Sequence, residues 1–153
     1  MSALFTVNTG AVASPSNTTK VAVQLASTAT KTCKIVAFDI TFDGTDSTKT
    51  PILITFARET GVSSTSGSAP TPVLAGGDAS VTSAMTARIS DTTDGSAPTV
   101  ICGWYVPPTS GLAYQFPLGR EITLKISDFV ALRVTTVTAS GTPNYNATVW
   151  YEE

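Results

Sequence analysis

Few side chains in this sequence can do chemistry, and their types narrow the choices at once. The chain of 153 residues has no histidine. That removes the commonest general base, the Ser–His and Cys–His nucleophile pairs and every histidine-ligated metal site. Carboxylates, two thiols and aromatic rings remain. Asp39, Asp43 and Asp46 fall close together and could offer oxygens to a hard cation such as calcium. Asp43-Gly44 and Asp46 also stand where a turn is required, and aspartate favours turns by bonding its own backbone, so a turn is the simpler expectation. Asp91, Asp94 and Gly95 read the same way, and Glu152-Glu153 reads as a solvated end. Asp39 alternates with Phe38 and Ile40 and is expected on the exposed face of a strand. A two-carboxylate glycosidase needs facing acids ~5–9.5 Å apart, and nothing in the spacing promises them. Gly76-Gly77-Asp78 lacks the lysine and the following helix of a phosphate-binding loop. Neither a catalytic residue, a cofactor nor a metal is expected.

The thiols, Cys33 and Cys102, are expected as buried small hydrophobes, with an inter-strand disulfide as the alternative. Two cysteines without histidine make no recognisable zinc site. The rings are the better candidates for a binding surface. Trp104-Tyr105 and Trp150-Tyr151 are neighbours on strands, so within each pair one ring faces the core and the other the rim. Leu4, Phe5 and Val7 form either an arm that docks on a neighbouring subunit or a strand in the molecule's own sheet. These seven residues are the candidate interface.

The elements that must carry them are strands. Charged residues make up 13% of the chain, about half the usual share, and hydroxyls take their place: 27 threonines and 16 serines. Threonine is β-branched, suits a pleated half-exposed surface and makes a poor helix. An apolar share of 42% is enough for a core. Alternating runs recur along the chain, separated by Gly, Pro, Asp, Asn and Ser. Val21, Val23 and Leu25 form one; Val36, Phe38, Ile40 and Phe42 form the clearest; Pro51 opens another through Ile52, Ile54 and Phe56. Residues 60–79 read as a long excursion, and 80–90 favour a strand over a helix. Further runs follow at Val100–Val106, Leu112–Phe116, Ile122–Ile126, Val130–Val134 and Tyr145–Tyr151. The stretch 117–134 reads as a late hairpin turning at Ser127-Asp128. Eight to ten antiparallel strands are expected, in an all-β two-sheet sandwich. A jelly roll is the leading architecture and an immunoglobulin-like sandwich the runner-up. Residues 1–19 are assigned to an arm or short strand plus loop, and 20–153 to one domain.

Net charge is −2, which leaves no electrostatic footprint for nucleic acid or an anionic membrane. The start, Met-Ser-Ala-Leu-Phe-Thr-Val, lacks the basic and apolar regions of a signal peptide, and no run is long enough to span a bilayer. Asn17-Thr18-Thr19 and Asn146-Ala147-Thr148 match the glycosylation sequon by chance in a threonine-rich chain.

A resemblance follows from the order of features. It runs through Cys33-Lys34-Ile35-Val36 to Phe42-Asp43-Gly44-Thr45 and on to Pro51-Ile52-Leu53-Ile54. It continues in Pro107-Pro108-Thr109-Ser110-Gly111-Leu112, Pro117-Leu118-Gly119-Arg120-Glu121 and Val149-Trp150-Tyr151-Glu152-Glu153. Over 33–153 the chain resembles head-decoration (capsid cement) and other accessory virion proteins of tailed bacteriophages, in pattern and not in signature. The resemblance implies a jelly-roll or related sandwich, made in the bacterial cytoplasm and carried on the capsid surface. Its implied partners are the major capsid protein and copies of itself, as a homotrimer, with no cofactor, nucleic acid or membrane. The alternative expectation is a carbohydrate- or receptor-binding module of a tail or fibre, stacking sugars on Trp104 or Trp150.

Overall fold

A computed structural model describes residues 2–27, 30–44, 50–63, 66–77, 80–136 and 143–153. Among them the chain forms twelve strands and no helix. They are β1 (Leu4–Asn8), β2 (Val12–Ala13), β3 (Thr19–Ala26), β4 (Cys33–Phe42), β5 (Ile52–Glu59) and β6 (Val73–Gly76). After these come β7 (Thr86–Asp91), β8 (Thr99–Val106), β9 (Leu112–Gln115), β10 (Ile122–Leu124), β11 (Phe129–Thr135) and β12 (Asn144–Glu152). The count exceeds the expected eight to ten because β2 and β6 are pairings of two and four residues, too short for an alternation to show.

Two antiparallel sheets pack face to face. Sheet I runs β10-β4-β12-β1-β6, with β9 lying beside β4 ahead of β10 and β2 beside β12 ahead of β1. Sheet II runs β7-β3-β11-β5-β8. The pairings define a jelly roll. β1 and β2 pair with β12, β3 with β11, β4 with β9 and β10, and β5 with β8, all antiparallel. The chain is therefore one long ribbon, doubled back on itself and rolled into two sheets. The excursion after residue 60 lies at the ribbon's turn. It supplies β6, which covers the edge of β1, and β7, which covers the edge of β3.

Between the sheets lies one apolar core that includes Phe5, Leu25, Ile35, Phe38, Ile40, Ile54, Phe56, Leu124, Leu132 and Tyr151. The alternation of β4 changes phase at Val36, because Trp150 pairs with Ala37 while Tyr151 pairs with Ile35. This one-residue bulge turns Ile35 into the core, where simple alternation puts it on the opposite face, and leaves Val36 half-buried.

Residues 117–134 are not a hairpin. β10 belongs to sheet I beside β4, whereas β11 lies in sheet II between β3 and β5. Between them the Asp128 N–H closes a turn on the Lys125 carbonyl at 3.1 Å, with Ser127 at φ 63°. The turn is there, but it carries the chain across the sandwich. Strand, polar turn and strand look identical in sequence whether the second strand pairs with the first or crosses over.

The 1–19 segment is also more than an appendage. β1 sits inside sheet I between β12 and β6, and Phe5 stacks on Tyr151 with ring centroids 5.7 Å apart.

Candidate functional site

The sheets end in edge strands on both lateral sides. β6 and β7 close one side; on the other, among the described residues, β8 pairs with β5 alone and β9 and β10 pair with β4 alone. Aromatic rings close the core there. Trp104 of β8 and Tyr114 of β9 lie 5.1 Å apart, and both pack on Phe38, at 5.0 and 6.0 Å. Phe56 and Phe116 complete the cluster, with centroids 5.1 and 6.2 Å from Phe38. Rings suit this position because each spans the gap between sheets at low entropic cost.

Outside that wall the stretch Gly95–Gly119 presents apolar side chains. No residue from Gly95 to Gly119 carries a charge. Most of the large exposed hydrophobics belong to the elements of this side: Val100 (56% exposed), Ile101, Tyr105 (73%) and Leu118 (97%). Unpaired strand edges are normally blunted by lysine, proline or inward charges. Within β8 the one protective device is a bulge at Ile101, where Phe56 pairs with Cys102 and Ala57 with Val100. From Cys102 to Val106 the edge is regular and open. Beside it lies a groove of about 470 Å³ lined by Arg58, Glu59, Thr99, Ile101, Ser127 and Asp128. The Arg58 guanidinium pairs with the Asp128 carboxylate there.

The seven candidate interface residues divide. Tyr105 is fully presented on the open side, and Trp104 is half-buried in the ring cluster behind it. Phe5, Val7 and Tyr151 are removed from the candidates. They are 1%, 3% and 0% exposed, because each lies on the inward face of a central strand. Leu4 is half-buried at the start of β1. Trp150 is half-buried on the outer face of sheet I, away from the open side. Each Trp-Tyr pair thus gives one inward and one outward ring, with Trp inward in the first and Tyr inward in the second. Cys33 and Cys102 are both free thiols. Burial, then the negative Glu153, pushes the Cys33 thiol up to about 12.

The carboxylates fare differently from their sequence reading. Asp43 bonds across to β12: its N–H donates to the Asn144 carbonyl at 3.0 Å and its Oδ2 accepts from Asn144 Nδ2 at 2.8 Å, while most of the expected turn, residues 45–49, lies outside the described residues. Asp46 and Asp78 lie outside the described residues. Asp91 is no exposed turn residue: it is 0% exposed and a hydrogen-bond hub. Its Oδ1 accepts from the Gly67 N–H at 2.6 Å and from Arg88 Nη2 at 3.0 Å; its Oδ2 accepts from Arg88 Nε at 2.7 Å and from the Ser63 hydroxyl. Burial raises this carboxyl, but the Arg88, Ser63 and Gly67 bonds outweigh it and hold Asp91 below the ordinary aspartate range. Asp94 pairs with Arg133. Glu59 is buried beside Gln24, whose amide donates to its Oε2, while its Oε1 has no hydrogen-bond partner among the described residues. Burial first, and then the nearby Asp94, push Glu59 above the usual glutamate range. The set pins Gly61, Ser63, Gly67 and the 91–95 loop onto the outer face of sheet II. Sequence pattern misses it because its members come from four separate segments.

Glu153 corrects a second expectation. Its side chain is 1% exposed. Its carboxylate accepts from the N–H groups of Ala84 (3.0 Å) and Met85 (3.2 Å) and from the Ser83 hydroxyl, which fastens the chain ahead of β7 to the end of β12. Among the described residues no cluster of His, Cys, Asp or Glu has the arrangement of a metal site.

The class that fold and surface define is a jelly-roll sandwich with an aromatic-walled lateral side whose Gly95–Gly119 stretch holds no charge. Compared with known proteins, the chain matches no family model, no curated protein and no solved structure.

Proposed function

We propose that this chain is a structural protein of a tailed-bacteriophage virion. In this reading it sits on the capsid surface and stabilises the head by contacts with the major capsid protein and with copies of itself in a homotrimer. One observation carries the reading: an unpaired β8 edge within a stretch, Gly95–Gly119, that holds no charge and exposes Val100, Ile101, Tyr105 and Leu118. Such a surface is a liability in a solitary protein and an asset in one that is covered on assembly. A rigid sandwich loses little freedom on docking. Many weak copies on a symmetric shell then bind by avidity.

The test has two arms. Sedimentation of the purified chain should give a symmetric oligomer, and the chain should bind capsids prepared without it. Tyr105→Lys places a charge on the exposed face of β8, where it is well solvated in the monomer; it should shift the oligomer to monomer and abolish capsid binding while the melting temperature of the monomer holds. A wild-type chain that stays monomeric and ignores capsids would overturn the reading.

A further inference from the structure

Trp150 is the one tryptophan whose ring the core does not use. Trp104 packs against Phe38, Tyr114 and Phe116, whereas no aromatic ring among the described residues stacks on Trp150. It projects from β12 at the middle of sheet I, on the outer face, with Thr6 of β1 and Ala37 of β4 as its cross-strand neighbours. Beside it is an open depression of about 260 Å³ lined by Trp150, Ala37, Asp39, Ala113 and Gln115, with Phe38 and Tyr114 completing the lining. The register explains the shape. Ala37 pairs with Gln115 and Asp39 with Ala113, so two alanines make a low floor diagonal to each other, and the two longer polar side chains rise at the other corners. The bulge at Val36 sets the phase of this stretch, with Phe38 in the core and Ala37 and Asp39 outside.

The chemistry of the depression is specific. Neither the Asp39 carboxylate nor the Gln115 amide has a polar partner among the described residues, and the Trp150 indole N–H donates to none of them. The next row is a made hydrogen-bond cluster: Asn8 Nδ2 donates to Asn146 Oδ1 and to Thr148 Oγ1, both at 2.8 Å. Thr148 is the cross-strand neighbour of Asp39. An apolar ring beside uncommitted acceptors and donors matches a pyranose, which offers C–H groups on its faces and hydroxyls around its rim. The volume lies below the ~300–1,000 Å³ of drug-sized pockets, which fits a single sugar ring. No basic residue lines the depression, and Asp39 adds a negative charge, which disfavours sugar acids. We propose that the outer face of sheet I at Trp150 binds a neutral hexopyranose unit of a glycan through Trp150, Asp39 and Gln115. This activity stands apart from the virion reading, because it uses the outer face of sheet I, whereas that reading rests on the β8 edge and the exposed Val100, Ile101, Tyr105 and Leu118.

The experiment is an NMR titration of the full chain, with ¹⁵N-labelled tryptophan, against methyl glucoside, methyl galactoside, methyl mannoside and glucuronate. At least one neutral glycoside should shift the Trp150 indole signal saturably, with half-saturation in the millimolar range expected of one ring, and leave the Trp104 signal in place. Glucuronate should bind at least fivefold more weakly. Asp39→Ala and Gln115→Ala keep the indole as reporter and occupy outward positions, so they test the site without touching the core; each should weaken binding at least fivefold. No shift with any neutral glycoside up to tens of millimolar would overturn the proposal. So would equal shifts at both tryptophans, glucuronate binding as tightly, or both variants binding like wild type. Capsid binding and sedimentation are measured separately, so either reading can fail alone.

Discussion

Replacing Asp91 with alanine is the sharpest probe of what holds the outer layer of sheet II in place. Asp91 is fully buried, and its two oxygens serve the Arg88 guanidinium, the Ser63 hydroxyl and the Gly67 N–H. Arg88 is itself mostly covered, with 18% of its side chain exposed. Truncation takes the carboxylate from a mostly covered guanidinium and removes the acceptor that the Ser63 hydroxyl and the Gly67 N–H use. Removing one member of a buried pair costs about 3–5 kcal/mol, mainly because the other is left without compensation. A domain of this size has about 5–15 kcal/mol in all. Ser63→Ala deletes one bond of the same hub and should cost about 1 kcal/mol. Urea unfolding followed by tryptophan fluorescence reads both. With a slope of about 2 kcal/mol per molar, Asp91→Ala should lower the midpoint by about 2 M and Ser63→Ala by about 0.5 M. The pH dependence has a definite sign. The folded carboxyl is held below its unfolded value, so its contribution is present above the ordinary aspartate range and fades as pH falls through the folded value. The gap between wild type and Asp91→Ala should therefore narrow in acid. A loss under about 1 kcal/mol at pH 7, or a gap that does not change in acid, would refute the account; either would mean that Ser63 and Gly67 move away and let water replace Asp91.

Other outcomes follow from the same packing. Glu59 has its folded carboxyl raised, so it favours folding only while protonated and loses that contribution as pH rises through its folded value. Glu59→Gln should accordingly raise the urea midpoint at pH 7 and leave it unchanged near pH 4. Gly67→Ala should destabilise severely, because a Cβ there would run into the Ile89 carbonyl and lie 2.7 Å from Asp91 Oδ1; thermal melting checks it. Phe38→Ala empties the centre of the ring cluster and should cost about 3–5 kcal/mol by urea unfolding. In the native protein Cys33 should resist an aromatic disulfide reagent at pH 8, since its thiol is raised to about 12 and buried, and should react fully once urea unfolds the chain.

The amino-acid sequence alone determined that this chain makes sheets. Threonine, valine and isoleucine in period-two runs have one stable solution when a single face must leave water, and Val23, Phe38, Ile54, Leu132 and Tyr151 all end in the core as those runs require. It also determined that one ring of each Trp-Tyr pair must face outward, since neighbours on a strand oppose each other. What it could not determine is the phase of β4, because one extra residue at Val36 shifts it against β12, and pairing alone fixes where the bulge falls. Nor could it place β10 and β11 in different sheets, since local pattern is the same for a hairpin and a crossover. The Gln24–Glu59–Ser63–Asp91 set was beyond it for the same reason. Burial of a polar side chain depends on what the rolled ribbon lays over it, and that covering loop is distant in sequence. Tertiary structure likewise decided that β8 is an edge and that Trp150, Asp39 and Gln115 share a face, because register between strands is set by the whole sheet and not by any one of its strands.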